Sequence, residues 1–173
     1  MIHDPLVFDT SALFNFGHRD SLLGLLKQLK AENQLVVPAA VVEELVPEQR
    51  HDYALMRADH FIPLAPKPKL EDLERLRGLS AALGQGEVEV ILLAREVQGM
   101  AILDDRAARR VAEQSGVEAT GTLGLIAHGI ERGWMTDAEA MRAVRQLRAN
   151  GFFVPRVGDD ERFDAYLRRL DRV

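Results

Sequence analysis

Pro5-Leu6-Val7-Phe8-Asp9-Thr10-Ser11 is the stretch on which the fold turns. An apolar run this short, closed by an acid and two hydroxyls, reads as a buried parallel strand and not as a helix. The pattern returns at Ala101-Ile102-Leu103, which ends on Asp104-Asp105. In open α/β sheets the carboxyl ends of the strands form the binding crevice, so both runs deliver carboxylates to one site. Strand-end acids in one sheet suggest an oxygen-ligand cation site, and with it phosphate chemistry.

Working outward, the spacing predicts a helix opening at Ser11 to Asn15, capped by Thr10 or Ser11. A leucine-rich helix through Leu22 to Leu29 comes next, then a strand at Leu35-Val36-Val37. Pro38 sits where the following helix begins; that helix carries Val41, Val42, Leu45 and Val46 and stops near Pro47. Phe61-Ile62-Pro63-Leu64 reads as a strand at a sheet edge, because its proline removes a ladder donor. A helix from about Glu71 to Leu83, a break at Gly84-Gln85-Gly86 and an apolar helix from Glu87 to Val97 lead into the strand at 101–103. Arg106 to Gln114 is helical, Val117-Glu118-Ala119 is a short strand, and helices follow at about 122–131 and 137–148. Asn150-Gly151 turns the chain before a last amphipathic helix from Asp159 to Leu170. Strands alternating with helices define an α/β class with a mainly parallel sheet.

Composition bounds the rest. The 173 residues, 47% hydrophobic and 28% charged, are those of one globular domain with a sizeable core. A formal net charge of −5 argues against tight nucleic-acid binding by bulk charge, though not against a local basic patch. The absence of cysteine excludes disulfides, zinc-thiolate sites and thiol nucleophiles. No apolar stretch approaches the ~20 residues of a membrane span, and the first residues lack a signal-peptide pattern. The expectation is a cytoplasmic protein with no membrane partner.

Among the acids, Asp9 has the strongest individual case. Glu87 faces Val90, Ile91 and Ala94 along its helix, a surface that should be buried, where a lone carboxylate is costly unless paired or bound to a cation. A helix-start glutamate favoured by the macrodipole explains it equally well. Glu89 looks along a mixed face to Leu92, Leu93 and Glu96. Glu43 and Glu44 lie almost equally far from the apolar stripe of their helix, and periodicity does not choose between them. One of Asp104 and Asp105 can cap the helix at Arg106, and Asp105 can pair with Arg109; two adjacent aspartates exceed what a cap needs. Hard cations such as Mg²⁺ and Mn²⁺ prefer such oxygen donors. Thr120-Gly121-Thr122 opens a helix whose amides and hydroxyls suit a phosphate, as does an ordinary cap. Arg106, Arg109 and Arg110 form a basic group suited to RNA phosphates or to a solvated face. His128 reads as a packed residue.

Val7-Phe8-Asp9-Thr10-Ser11-Ala12-Leu13, the run from Val37-Pro38 to Glu44-Leu45, and Ala101-Ile102-Leu103-Asp104-Asp105-Arg106 together resemble the PIN-domain nuclease superfamily. Gly86 to Ala94 and Thr120 to Ile126 resemble a PIN-like branch related to VapC-type toxins, and Arg142 to Val154 resembles its C-terminal extension. The resemblance implies a three-layer α/β/α fold with strand order 3-2-1-4-5, one domain with a helical extension from about residue 136. It implies a Mg²⁺- or Mn²⁺-dependent endoribonuclease. Asp9, Glu44, Glu87 and Asp105 match the catalytic and metal-holding acids, with Asp104 beside them as a further ligand. Thr10 or Ser11 matches the hydroxyl next to the first acid; Arg106, Arg109 and Thr122 would hold substrate. VapC-type proteins are usually homodimers silenced by an antitoxin, so those partners are expected besides RNA. Their third acid is more commonly aspartate; Glu87 is one methylene longer. Two other readings stand: a non-catalytic RNA-binding or protein-interaction module on the same fold, and a haloacid-dehalogenase-like phosphatase. Against the last, position 11 is serine where that chemistry usually places a second acid.

Overall fold

The computed structural model describes residues 2–17, 20–67, 69–79, 83–152, 154–158 and 161–170. Five parallel strands form one sheet in the order β3-β2-β1-β4-β5: β1 (Leu6–Phe8), β2 (Leu35–Pro38), β3 (Phe61–Leu64), β4 (Met100–Ile102) and β5 (Ala119–Thr120). β1 is central because every residue of it is wholly buried. Its neighbours are β2, with Leu6 opposite Leu35, and β4, with Phe8 opposite Ile102. The edge position expected for the Pro63 strand is the one observed.

α1 (Thr10–Gly17) starts one residue after Asp9, and α2 (Asp20–Glu32) follows it. Phe8 meets Phe16 of α1 and Phe61 of β3 edge-on, with ring centroids 6.0 and 5.2 Å apart. Burying a side chain of that size contributes about 1.5–3 kcal/mol, so this aromatic group ties α1 to the sheet. α3 (Ala39–Glu43) and α6 (Gln85–Glu96) pack together, and α6 lies across β1, β2 and β4. Its Val90, Ile91, Leu93 and Ala94 are buried there. α8 (Thr122–Glu131) and α9 (Asp137–Ala149) pack with α1 and α2 into a second helical layer, and α10 (Phe163–Leu170) leans on α9. α7 (Arg106–Gln114) follows β4. The architecture is the three-layer α/β/α expected.

Two helices depart from the sequence expectation, and β5 begins at Ala119, where the expected Val117-Glu118-Ala119 strand ends. The helix after Pro38 is only one turn long, because Glu44 already stands at its C-cap. Pro47, expected as a stop, is the first residue of α4 (Pro47–Asp59), a helix not foreseen at all. A proline lacks the N–H that a first helical residue does not need, so the residue that ends one helix opens the next. α5 (Leu70–Leu79) is present; its expected continuation through 80–82 and the expected start of the last helix at Asp159 lie outside the described residues.

Candidate active site

Parallel pairing of β1 with β4 makes the two strands end side by side, and the Asp9 amide donates to the Ile102 carbonyl at 3.0 Å. Asp9 therefore leaves the sheet next to Asp104 and Asp105. Asp9 is 7% exposed; its carboxylate accepts the Ser11 N–H at 3.3 Å, while its carbonyl receives the Leu13 N–H at 2.8 Å, so Asp9 also starts α1. Burial raises its pKa from 3.8 to about 6, against the lowering by the Thr10 and Ser11 amides; the charges of Glu87 and Glu44 push it up further. Those two carboxylates thus lie within electrostatic reach of Asp9, although they come from other elements.

Glu44 crosses from the end of α3. Its Oε2 receives the Thr10 hydroxyl at 3.0 Å and its Oε1 the Gly86 N–H at 2.7 Å. The second bond needs a glycine: a Cβ on residue 86 would sit 2.6–2.9 Å from the Glu44 carboxylate. The Gly84-Gln85-Gly86 break is thereby explained as the seat of Glu44. Glu43 is exposed, and what the structure records of it is its carbonyl, which accepts from Arg50 at 3.1 Å.

Glu87, in the first turn of α6, takes the Gly84 N–H on Oε2 at 2.9 Å. That is the bond of a helix-start glutamate, and it leaves Oε1 without a hydrogen bond among the described residues. Burial raises the Glu87 pKa, partly offset by this bond, and the charges of Asp105 and Glu44 raise it again. Asp105 caps α7 by accepting the Ala108 N–H at 2.8 Å. Glu89 is used otherwise: its Oε2 accepts the Ala40 N–H at 3.1 Å at the start of α3.

Asp104 is turned inward. Its Oδ1 receives the Thr122 N–H at 2.7 Å, and its Oδ2 receives the Thr122 hydroxyl at 2.7 Å and Asn15 Nδ2 at 2.9 Å. Burial still raises its pKa, these donors and the Arg109 charge working the other way. Both oxygens are thus engaged in joining α1, the β4–α7 turn and the start of α8. Asn15, 7% exposed, is the residue that sequence reasoning passed over, since nothing local marks a partner 89 residues away. Arg109 Nη1 donates to the Leu103 and Asp104 carbonyls at 2.6 and 2.9 Å and braces the same turn. Arg106 is exposed and forms no hydrogen bond or ion pair among the described residues. Ser11 is exposed, and Thr122 is wholly buried. His128 packs edge-on against Trp134 at 5.4 Å, and burial lowers its pKa.

Among the described residues no three acidic or histidine side chains stand in a ready-made metal-holding group. The donors nonetheless suit a hard divalent ion: they are all oxygens, Asp9 is destabilised by burial and by the charges of Glu87 and Glu44, and Glu87 by burial and by the charges of Asp105 and Glu44. A cation would relieve that repulsion.

The PIN-domain family model DUF3368 matches residues 5–168. Among solved structures, a PilT N-terminus domain protein of the hyperthermophilic archaeon Sulfolobus solfataricus P2 is similar at 25% identity and a TM-score of 0.52, over 73% of this chain and 93% of that one. No curated protein matches the chain significantly. The family match spans the central strand, the elements that carry all four acids and most of the C-terminal helix; the chain belongs to the PIN-domain family, a nuclease-type superfamily.

Proposed function

We propose that this PIN domain is a divalent-metal-dependent endoribonuclease whose centre is Asp9, Glu44, Glu87 and Asp105. The observation that carries the reading is the raised pKa of the nine-tenths-buried Asp9, to which Glu44 and Glu87 from two other elements contribute. A buried carboxylate within the field of two others is costly in the free protein, and a bound cation would offset that cost. Asp9, Glu44, Glu87 and Asp105 would hold Mg²⁺ or Mn²⁺. Such an ion supplies Lewis-acid stabilisation of a phosphodiester and lowers the pKa of a water. Thr10 and the Gly86 amide aim Glu44, the Gly84 amide aims Glu87, and the Ala108 amide aims Asp105. Fixed acids of this kind need no reorganisation when substrate arrives. Arg106, at the rim, offers its guanidinium to an RNA phosphate. A VapC-like toxin, homodimeric and paired with an antitoxin, is the narrower form of the proposal, and it requires a small partner that co-purifies from the native host.

The test is cleavage of a mixed set of structured and single-stranded RNAs by the purified protein with Mg²⁺, Mn²⁺ or EDTA, alongside Asp9→Asn. Metal-dependent cutting that falls more than about a hundred-fold in the variant is the expected result. Undiminished turnover by Asp9→Asn would sink the assignment, and RNA binding without cutting under any metal would leave a binding module.

A further inference from the structure

Beside the four acids lies a groove of about 330 Å³ between the β4–α7 turn, the start of α8 and the C-terminal segment. Asp104, Arg106 and Arg109 supply its charged lining, and Leu123, Phe152, Val154, Leu167 and Leu170 its apolar lining. These apolar side chains are half-buried among the described residues and rest on the core. A pocket of this size with an apolar wall and a few convergent polar groups suits a flat ligand with one charged edge. A second hollow, about 410 Å³, is lined by Glu113, Glu118 and Glu131 and would repel a phosphate, and a third, about 590 Å³, has Arg169 already paired with Glu161 and offers no aromatic ring.

We infer that the groove accepts one unpaired nucleobase of the RNA strand, laid against Phe152, with a neighbouring phosphate held by Arg106. The inference rests on the nuclease reading in taking RNA as the ligand. Charge selects this occupant. The chain is acidic, with net charge −5, and its site concentrates carboxylates, so affinity for a polyanion does not come from a broad basic surface. It has to come from contacts insensitive to that charge, and a base stacked on an aromatic ring is such a contact. Arg106, unpaired among the described residues, stands where the groove meets the acids. Asp104 and Arg106, the chain neighbours of Asp105, both line the groove, so a strand bound there passes close to Asp105. A base inside a duplex is not free to enter, so the groove selects unpaired nucleotides adjacent to the cut.

The experiment measures binding of a single-stranded RNA 12-mer, and of versions lacking one base at each position in turn, by Asp9→Asn protein with Mg²⁺ present. Adding Phe152→Leu, which keeps an apolar side chain and removes the ring, should weaken binding about ten-fold, and Phe152→Tyr should stay within about two-fold. Removing the base at one position should cost the ring-bearing protein the same factor and cost the Phe152→Leu protein nothing more. Arg106→Gln should weaken binding and reduce the salt slope by about one. Unchanged binding on Phe152→Leu, base removal that costs both proteins equally, or no binding of the 12-mer at all would each overturn the inference. Binding is read in a cleavage-dead protein, so failure of the nuclease reading shows separately, as wild type that never cuts RNA.

Discussion

Asp9 carries a cost that its surroundings do not offset without a cation. Its pKa is about 6 in the folded chain against 3.8, so between those values the folded state keeps a proton that the unfolded state has released. Stability of the metal-free protein therefore falls as pH rises from about 4 to about 6 and then levels, by on the order of 2–3 kcal/mol. Asp9→Asn removes the charge, should raise the metal-free Tm at pH 7 by on the order of 5 °C, and should flatten the acid-side slope. A thermal melt series from pH 4 to 8 reads both, and a variant less stable than wild type at pH 7 would refute the account. Gly86→Ala separates site from scaffold in another way. The new methyl would stand 2.6–2.9 Å from the Glu44 carboxylate and push it out of its seat, so cleavage should fall at least about ten-fold. Helix stability should stay level or rise by up to ~1 kcal/mol, because alanine is the better helix former. Urea unfolding beside cleavage rates checks the pair. Much of this scale was legible beforehand: Asp9 from its strand end, Glu87 from Val90, Ile91 and Ala94 along its face. Glu44 was separated from Glu43 only by family resemblance, because its partners Thr10 and Gly86 come from other elements and leave no periodic trace.

Between elements, Asn15, Asp104 and Thr122 form a polar clamp holding α1, the β4–α7 turn and α8. Asn15 Nδ2 also reaches the Thr122 hydroxyl at 3.3 Å, so the three close a ring. Asn15→Ala or Thr122→Val leaves a buried carboxylate short of a donor and should cost about 1–3 kcal/mol in urea unfolding. The double variant should cost less than the sum of the two, because both act on Asp104. Strict additivity would mean that the ring does not behave as one unit. No sequence window holds all three residues, which is why Asn15 went unremarked. The missing α4 has a local cause instead. Pro47 carries the same signal for a helix end and a helix start, and the exposed, charge-rich residues after it give only a weak apolar stripe, with Tyr53 and Met56 as its buried members.

Over the whole molecule, the alternation of strands and helices gave the class, but the strand order came from resemblance, since periodicity says nothing of which strand lies beside which. Metal binding is a whole-molecule property too. An ion that binds only the folded chain stabilises it by mass action, about 2.7 kcal/mol at a hundred times its Kd. Millimolar Mn²⁺ should therefore raise the Tm of wild type at pH 7 reversibly with EDTA, and should do little for Glu44→Gln combined with Glu87→Gln; an equal rise in both proteins would place the ion elsewhere. The four acids stand at positions 9, 44, 87 and 105, each on a separate segment and joined only by a sheet whose central strand is the first to be made. β1 waits for β4 to arrive before Asp9 has Asp105 for company. On the ribosome, amid the RNA this protein is proposed to cut, an emerging chain has no assembled site until the segment that carries Asp105 has been made.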